Sequence, residues 1–140
     1  MMISTKGRYA LQTMLDLAQQ AKAEPDIFVS LKAIAERQNI SLKYLESIVA
    51  MLNKGGLVHS SRGKDGGYQL AKPAKEISVS AVMALTEGSL APVSCLDTCA
   101  DGTCAHADSC LTLPMWQHLD RIIDDYLSGV TIEDLIERNV

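Results

Sequence analysis

The chain has 140 residues, of which 47% are hydrophobic, and a formal net charge of −4. This suits one ordinary domain, or a small domain with an appended arm; it is too apolar for a disordered chain and has no run near the roughly 20 apolar residues that span a bilayer. With one Phe, one Trp and four Tyr, the core has to be mainly aliphatic. The opening stretch MMISTKGRYALQ carries charge but no apolar signal segment, so a cytoplasmic, reducing location is the expectation. In that compartment clustered cysteines bind metal or sense redox more often than they staple a fold.

The net charge hides an asymmetry. Residues 1–75 hold eight Lys and three Arg against six acids, whereas residues 76–140 hold only Arg121 and Arg138 against eleven acids. A basic first half suits a polyanionic partner, although the acidic total alone would argue against one.

In chain order, TKGRYALQTMLDLAQQ (5–20) puts Ala10, Leu11, Met14, Leu17 and Ala18 on one helical face, with Ser4 or Thr5 as N-cap. Ser30 opens a short helix, LKAIAERQ, with Leu31, Ile34 and Ala35 inward. Asn39-Ile40 turns the chain, and Ser41 caps a third helix, LKYLESIVAMLNK, which Gly55-Gly56 ends. GLVHSS, RGKDGG and YQLAKP then read as strand, glycine-rich tip and strand. A short helix follows in SVSAVMALTEG, and residues 95–110, polar and glycine-containing, read as a loop. Pro114 opens a longer amphipathic helix whose apolar set is Met115, Trp116, Leu119, Ile122, Ile123, Tyr126 and Leu127. Gly129 stops it, and Thr131 with Asp134 resembles a capping box for the last helix.

Helix, helix–turn–helix and basic hairpin make a winged helix-turn-helix, a mainly α (α+β) fold, over residues 1–75. Residues 76–140 form the second part, with the cysteine loop and the later helices. In a helix-turn-helix the second helix enters the major groove with its N-terminal residues nearest the base edges. Those residues are Ser41, Lys43, Tyr44 and Glu46. Lys43 suits guanine O6 or N7, and Glu46 suits cytosine N4. At the hairpin tip, Arg62 suits a narrow minor groove, with Lys64 beside it. Lys6 and Arg8 suit phosphates. Plainer readings stand beside these: Lys43 and Glu46 as solvated helix residues, Tyr44 packed beneath the wing, and Arg62 paired with Asp65.

ISTKGRYAL, SLKYLESIVAMLNKGGLV and SRGKDGGYQLAKP closely resemble the IscR/NsrR/CymR family of bacterial winged-helix regulators, and the likeness runs through ISVSAVMALTEG to the final TIEDL. The resemblance implies a homodimeric transcription factor bound to promoter DNA, with the long helix near 114–128 as a dimerisation helix crossing its mate. It also implies base contacts from Lys43, Glu46 and Arg62, and an iron–sulfur branch with a three-cysteine loop before that helix. A cysteine-metabolism member lacks this loop and is controlled by a metabolic enzyme, a cluster-free alternative here.

The four cysteines, Cys95, Cys99, Cys104 and Cys110, leave four chemistries open. Structural zinc usually shows paired C-x₂₋₄-C knuckles, absent from these spacings. Disulfides are disfavoured in a reducing compartment. Redox-sensing thiols would want lowered pKa values, which Asp97, Asp101 and Asp108 oppose. An iron–sulfur cluster, [2Fe–2S] or [4Fe–4S], tolerates irregular loop spacing. The resemblance assigns Cys104 and Cys110 as the second and third cysteines of the branch. The branch's fourth-ligand positions hold Leu113 and the region of Arg8, so the extra cysteine is expected to complete an all-cysteine site, with His106 and His118 in reserve. No nucleophile, base and oxyanion donor form a catalytic constellation. The expectation is a DNA-binding repressor that senses iron–sulfur, redox or nitric oxide status; the alternative is control by protein contact, thiol oxidation or zinc.

Overall fold

In a computed structural model, residues 3–99 and 104–140 are described, the side chains of Thr98 and Cys99 excepted. The order is α1 (Thr5–Ala23), α2 (Leu31–Gln38), α3 (Leu42–Lys54), β1 (Val58–Ser61), β2 (Gly67–Leu70), a short 3₁₀ turn (Ala74–Glu76), α4 (Val79–Glu87), α5 (Ser94–Cys99), α6 (Leu113–Gly129) and α7 (Ile132–Glu137). The fold is mainly helical with one small antiparallel sheet, a winged helix-turn-helix followed by a long helix.

Serine and threonine start the helices. The hydroxyls of Ser4, Ser30, Ser41 and Ser78 accept from the N–H groups of Gly7, Ala33, Tyr44 and Ala81, satisfying donors that a helix start leaves without partners. Thr131 and Asp134 form the expected reciprocal capping box. Asn39 takes a left-handed conformation with φ 53°, which ends α2 and releases the turn into α3.

The core is aliphatic, as expected. Ala10, Met14 and Leu17 of α1 meet Ile34 of α2, Leu45, Ile48 and Leu52 of α3, and Val58 of the wing. The core crosses residue 75, because Ile77, Val82 and Ile132 belong to the same cluster. Val79 N–H donates to the Val130 carbonyl at 2.8 Å, and Ile132 N–H to that of Ile77 at 2.9 Å. This pairing returns the chain after α6 to the body and seats α7 on α1.

The wing departs slightly from its expected bounds. β1 and β2 pair from Val58↔Leu70 to Ser61↔Gly67, so the tip is residues 62–66 and Gly67 is already strand. Val29 crosses there, exchanging hydrogen bonds of 2.7 and 2.8 Å with Tyr68. A Cβ on Gly67 would lie 2.3 Å from the Val29 carbonyl oxygen, so only glycine admits this crossing.

Two further departures concern the second half. Residues 95–99, expected as the start of a loop, belong to α5, with Asp97 in the first turn where a carboxylate is favoured. α6 has the expected apolar residues but buries none of them fully. Trp116, Ile123 and Leu127 are half-buried, whereas Met115, Leu119, Ile122 and Tyr126 are exposed. No helix among the described residues is long and apolar enough to cross a membrane.

Candidate nucleic-acid interface

The first turn of α3 carries the groups expected to read DNA. Leu45, Ile48, Val49 and Leu52 face the core, and the helical period therefore turns Lys43 and Glu46 outward, where both are exposed. Ser41 is committed as the N-cap: its Oγ accepts from Tyr44 N–H at 3.1 Å, which leaves its O–H free to donate outward. Tyr44 is half-buried and packs against α1. Its ring stands edge-on to Tyr9, with centroids 6.0 Å apart and planes at 88°. That contact sets the start of the recognition helix beside the first turns of α1, which hold Lys6 and the exposed Arg8.

At the wing tip Arg62 and Lys64 are exposed. Among the described residues the ion pairs are Lys22–Glu137 and Arg37–Asp16, so neither wing cation is neutralised by Asp65. An ion pair between the exposed Arg37 and the buried Asp16 braces the helix-turn-helix instead. Arg37 Nε and Nη2 donate to the two Asp16 oxygens at 2.8 and 2.7 Å, tying α2 to α1. The hydrogen bond to Asp16 raises the Arg37 pKa above its ordinary value. The periodic pattern did not reveal this pair; its one signal was an aspartate between Met14 and Leu17.

The cysteines lie in the segment between α4 and α6. Cys95 is in α5 and half-buried, as are Cys104 and Cys110, and the last two take part in no disulfide. The Cys99 side chain and Asp101 lie outside the described residues. Among the described residues no three His, Cys, Asp or Glu side chains are gathered as a metal cage. Cys110 has a thiol pKa held below the ordinary value. Its Sγ lies 3.4 Å from Thr112 Oγ1, the main cause, and the N–H groups of Thr112 and Leu113 at the start of α6 add to it. The donor chemistry therefore suits a thiophilic metal, although the described thiols are not assembled around one point.

A three-helix body with a β-wing, a cation-bearing recognition helix and a basic hairpin tip defines a winged-helix DNA-binding protein. The comparisons with known proteins narrow that class. The Rrf2 family, described as iron-dependent transcriptional regulators, matches residues 3–138. A Neisseria meningitidis protein named "Putative HTH-type transcriptional regulator NMA1593" is 44% identical over 138 residues, covering 99% of this chain and 89% of its own length. Among solved structures, CymR, the global cysteine regulator of B. subtilis, is similar with a TM-score of 0.82 and 33% identity, covering 99% of this chain and 98% of that one. T. potens IscR is similar with a TM-score of 0.78 and 36% identity, covering 100% and 89%. The chain belongs to the Rrf2 family; it is a DNA-binding transcriptional regulator and not an enzyme.

Proposed function

We propose that the chain works as a homodimeric transcriptional repressor whose grip on promoter DNA is set by an iron–sulfur cluster on Cys95, Cys99, Cys104 and Cys110. The observation that carries this reading is where the cysteine segment lies. It ends at Cys110, three residues before α6, and its α5 is joined to the turn that follows α4 by a 2.6 Å hydrogen bond from Ser89 Oγ to Asp97. The family's iron dependence supports it, and so does the Cys110 thiol, drawn toward the thiolate form that iron binds. The cluster would supply a group gained or lost with iron–sulfur, redox or nitric oxide status. Everything else belongs to the chain's own residues: Lys43, Glu46 and Arg62 read bases, Ser41, Lys6, Arg8 and Lys64 hold phosphates, and Tyr44 positions α3.

The homodimer rests on the uncovered face of α6. Met115, Leu119, Ile122 and Tyr126 recur at spacings of four, three and four, the seam of a two-stranded coiled coil. In an antiparallel pairing the seam closes on itself. Leu119 then meets Ile122 of the second copy, Met115 meets its Tyr126, and His118 flanks the seam opposite its Asp125. Two such monomers would set two recognition helices on successive half-sites.

The test is a Cys→Ala series on protein purified without oxygen, read by iron content and visible absorption. Loss of both in Cys104→Ala and Cys110→Ala is expected, and loss in Cys95→Ala and Cys99→Ala as well. Unchanged iron in either of the latter rules out four-cysteine ligation. A colourless wild-type protein would favour the second reading, control through protein contact, zinc or thiol oxidation. The likeness to the cysteine regulator CymR supports that alternative.

A further inference from the structure

Glu87 is in an electrostatically poor place for its own helix. It is the last residue of α4, where the helix dipole disfavours a carboxylate. One of its oxygens is nonetheless engaged across 83 residues of sequence. Oε1 accepts from Ser4 N–H at 3.0 Å and from Ser4 Oγ–H at 2.6 Å. Ser4 in turn caps α1, its Oγ accepting from Gly7 N–H at 3.1 Å. The carboxylate thus lies at the positive end of α1, a charge-assisted arrangement. A Cβ on Gly7 would fall 2.1 Å from Glu87 Oε1, so a side chain there would displace the carboxylate.

The same residue adjoins the cysteine segment. Gly88, at φ 74°, turns the chain directly after Glu87, and Ser89 N–H donates back to the Glu87 carbonyl at 2.9 Å. Ser89 Oγ then holds Asp97 on α5 at 2.6 Å. At the other end α1 carries Lys6 and Arg8, then Tyr9, whose ring meets Tyr44 in the first turn of α3. Polar and ring contacts therefore run without a break from α5 to the recognition helix, through Ser89, Glu87, Ser4 and α1.

We infer that Glu87 is the positioning residue through which the state of the cysteine segment reaches the DNA-contacting ends of α1 and α3. This rests on the reading of residues 95–110 as the sensor. The carboxylate clamps α1 while Ser89 holds α5. When the segment rearranges, the clamp moves or releases, and the first turn of α1 loses or regains its register with α3. Coupling of this kind is a difference in affinity between two states, commonly about 5- to 150-fold.

The experiment measures DNA affinity of cluster-loaded and cluster-free full-length protein at one salt concentration, for wild type, Glu87→Ala and Glu87→Gln. In wild type the two forms should differ by at least about 5-fold. In Glu87→Ala the ratio should fall below about 3-fold while cluster absorption and helix content stay as in wild type. Glu87→Gln keeps an acceptor oxygen for Ser4 and should retain most of the ratio. A wild-type ratio in Glu87→Ala overturns the inference. A second readout needs no cluster: amide hydrogen exchange at Gly7 and Arg8. Asp97→Ala should speed it where Glu87 is present and leave it unchanged in the Glu87→Ala background. No response to Asp97→Ala in either background also overturns the inference, even if the protein is colourless and the sensor reading alone has failed. If Glu87→Ala does not fold, Glu87→Asp, which draws the carboxylate back from Ser4 by one methylene, takes its place in both measurements.

Discussion

Replacing Ile122 by glutamate probes the α6 seam where it is most sensitive. Met115, Ile122 and Tyr126 keep 54%, 51% and 58% of their surface exposed in the single chain, so about half of each is left for the proposed second copy to cover. Full burial of a side chain this size contributes about 1.5–3 kcal/mol, so hiding the rest of Ile122 contributes about 1 kcal/mol per protomer. A carboxylate there must also be desolvated against Leu119 of the second copy, with no cation facing it, at about 1–3 kcal/mol or more. The two-fold axis doubles both effects, giving about 4–8 kcal/mol and a dimer weakened at least about 1000-fold. The protomer should still fold, because Ile122 lies outside the buried core. Light scattering with size exclusion at micromolar protein should report a monomer with wild-type circular dichroism, while Gln117→Glu, off the seam, stays dimeric. A dimeric Ile122→Glu protein would refute the seam.

Three further outcomes are expected. Lys64→Ala should weaken DNA binding across sequences and lower the slope of log affinity against log salt by about 1, whereas Lys43→Ala should cost about 1–3 kcal/mol at one base pair and relax discrimination there. Fluorescence anisotropy over a salt series with mutated operators separates the two. Thr112→Val should move the pH profile of Cys110 alkylation in cluster-free protein upward, slowing the reaction near neutrality but not at high pH, since the Thr112 hydroxyl is the main support of the thiolate. The Asp134 carboxyl is held below its usual range by Thr131, first through its backbone N–H and then its hydroxyl. Because the folded value is the lower one, the stability it contributes is present above the unfolded carboxylate pKa and is lost as pH falls through the folded pKa. Asp134→Asn should therefore be less stable than wild type at neutral pH, with the difference vanishing in acid, as thermal melts across pH would read.

What local chemistry decides was legible in the residues. Ser4, Ser30, Ser41 and the Thr131–Asp134 box start helices because an oxygen placed just before a helical stretch can satisfy donors only there. Gly55-Gly56 and the basic glycine-rich tip likewise announced the end of α3 and the wing. Contacts between distant segments were not legible. The carboxylate of Asp16 reads as a misplaced polar residue until Arg37 comes back over it from α2. Glu87 reads as a poor helix end until Ser4 arrives from the far end of the chain. α5 escaped notice because six residues show no period and its helical turn depends on neighbours. For α6 the apolar stripe was visible, but sequence alone did not reveal that it divides into an inward face and one facing away from the protomer.

The measurement closest to the central claim is DNA affinity of one anaerobic preparation, taken before and after its iron is removed, at a fixed salt concentration. A change of at least about 5-fold, absent from Cys104→Ala and Cys110→Ala proteins, is the outcome that control through the cysteine segment requires. Equal affinity before and after removal, in protein that was loaded at the start, would contradict it.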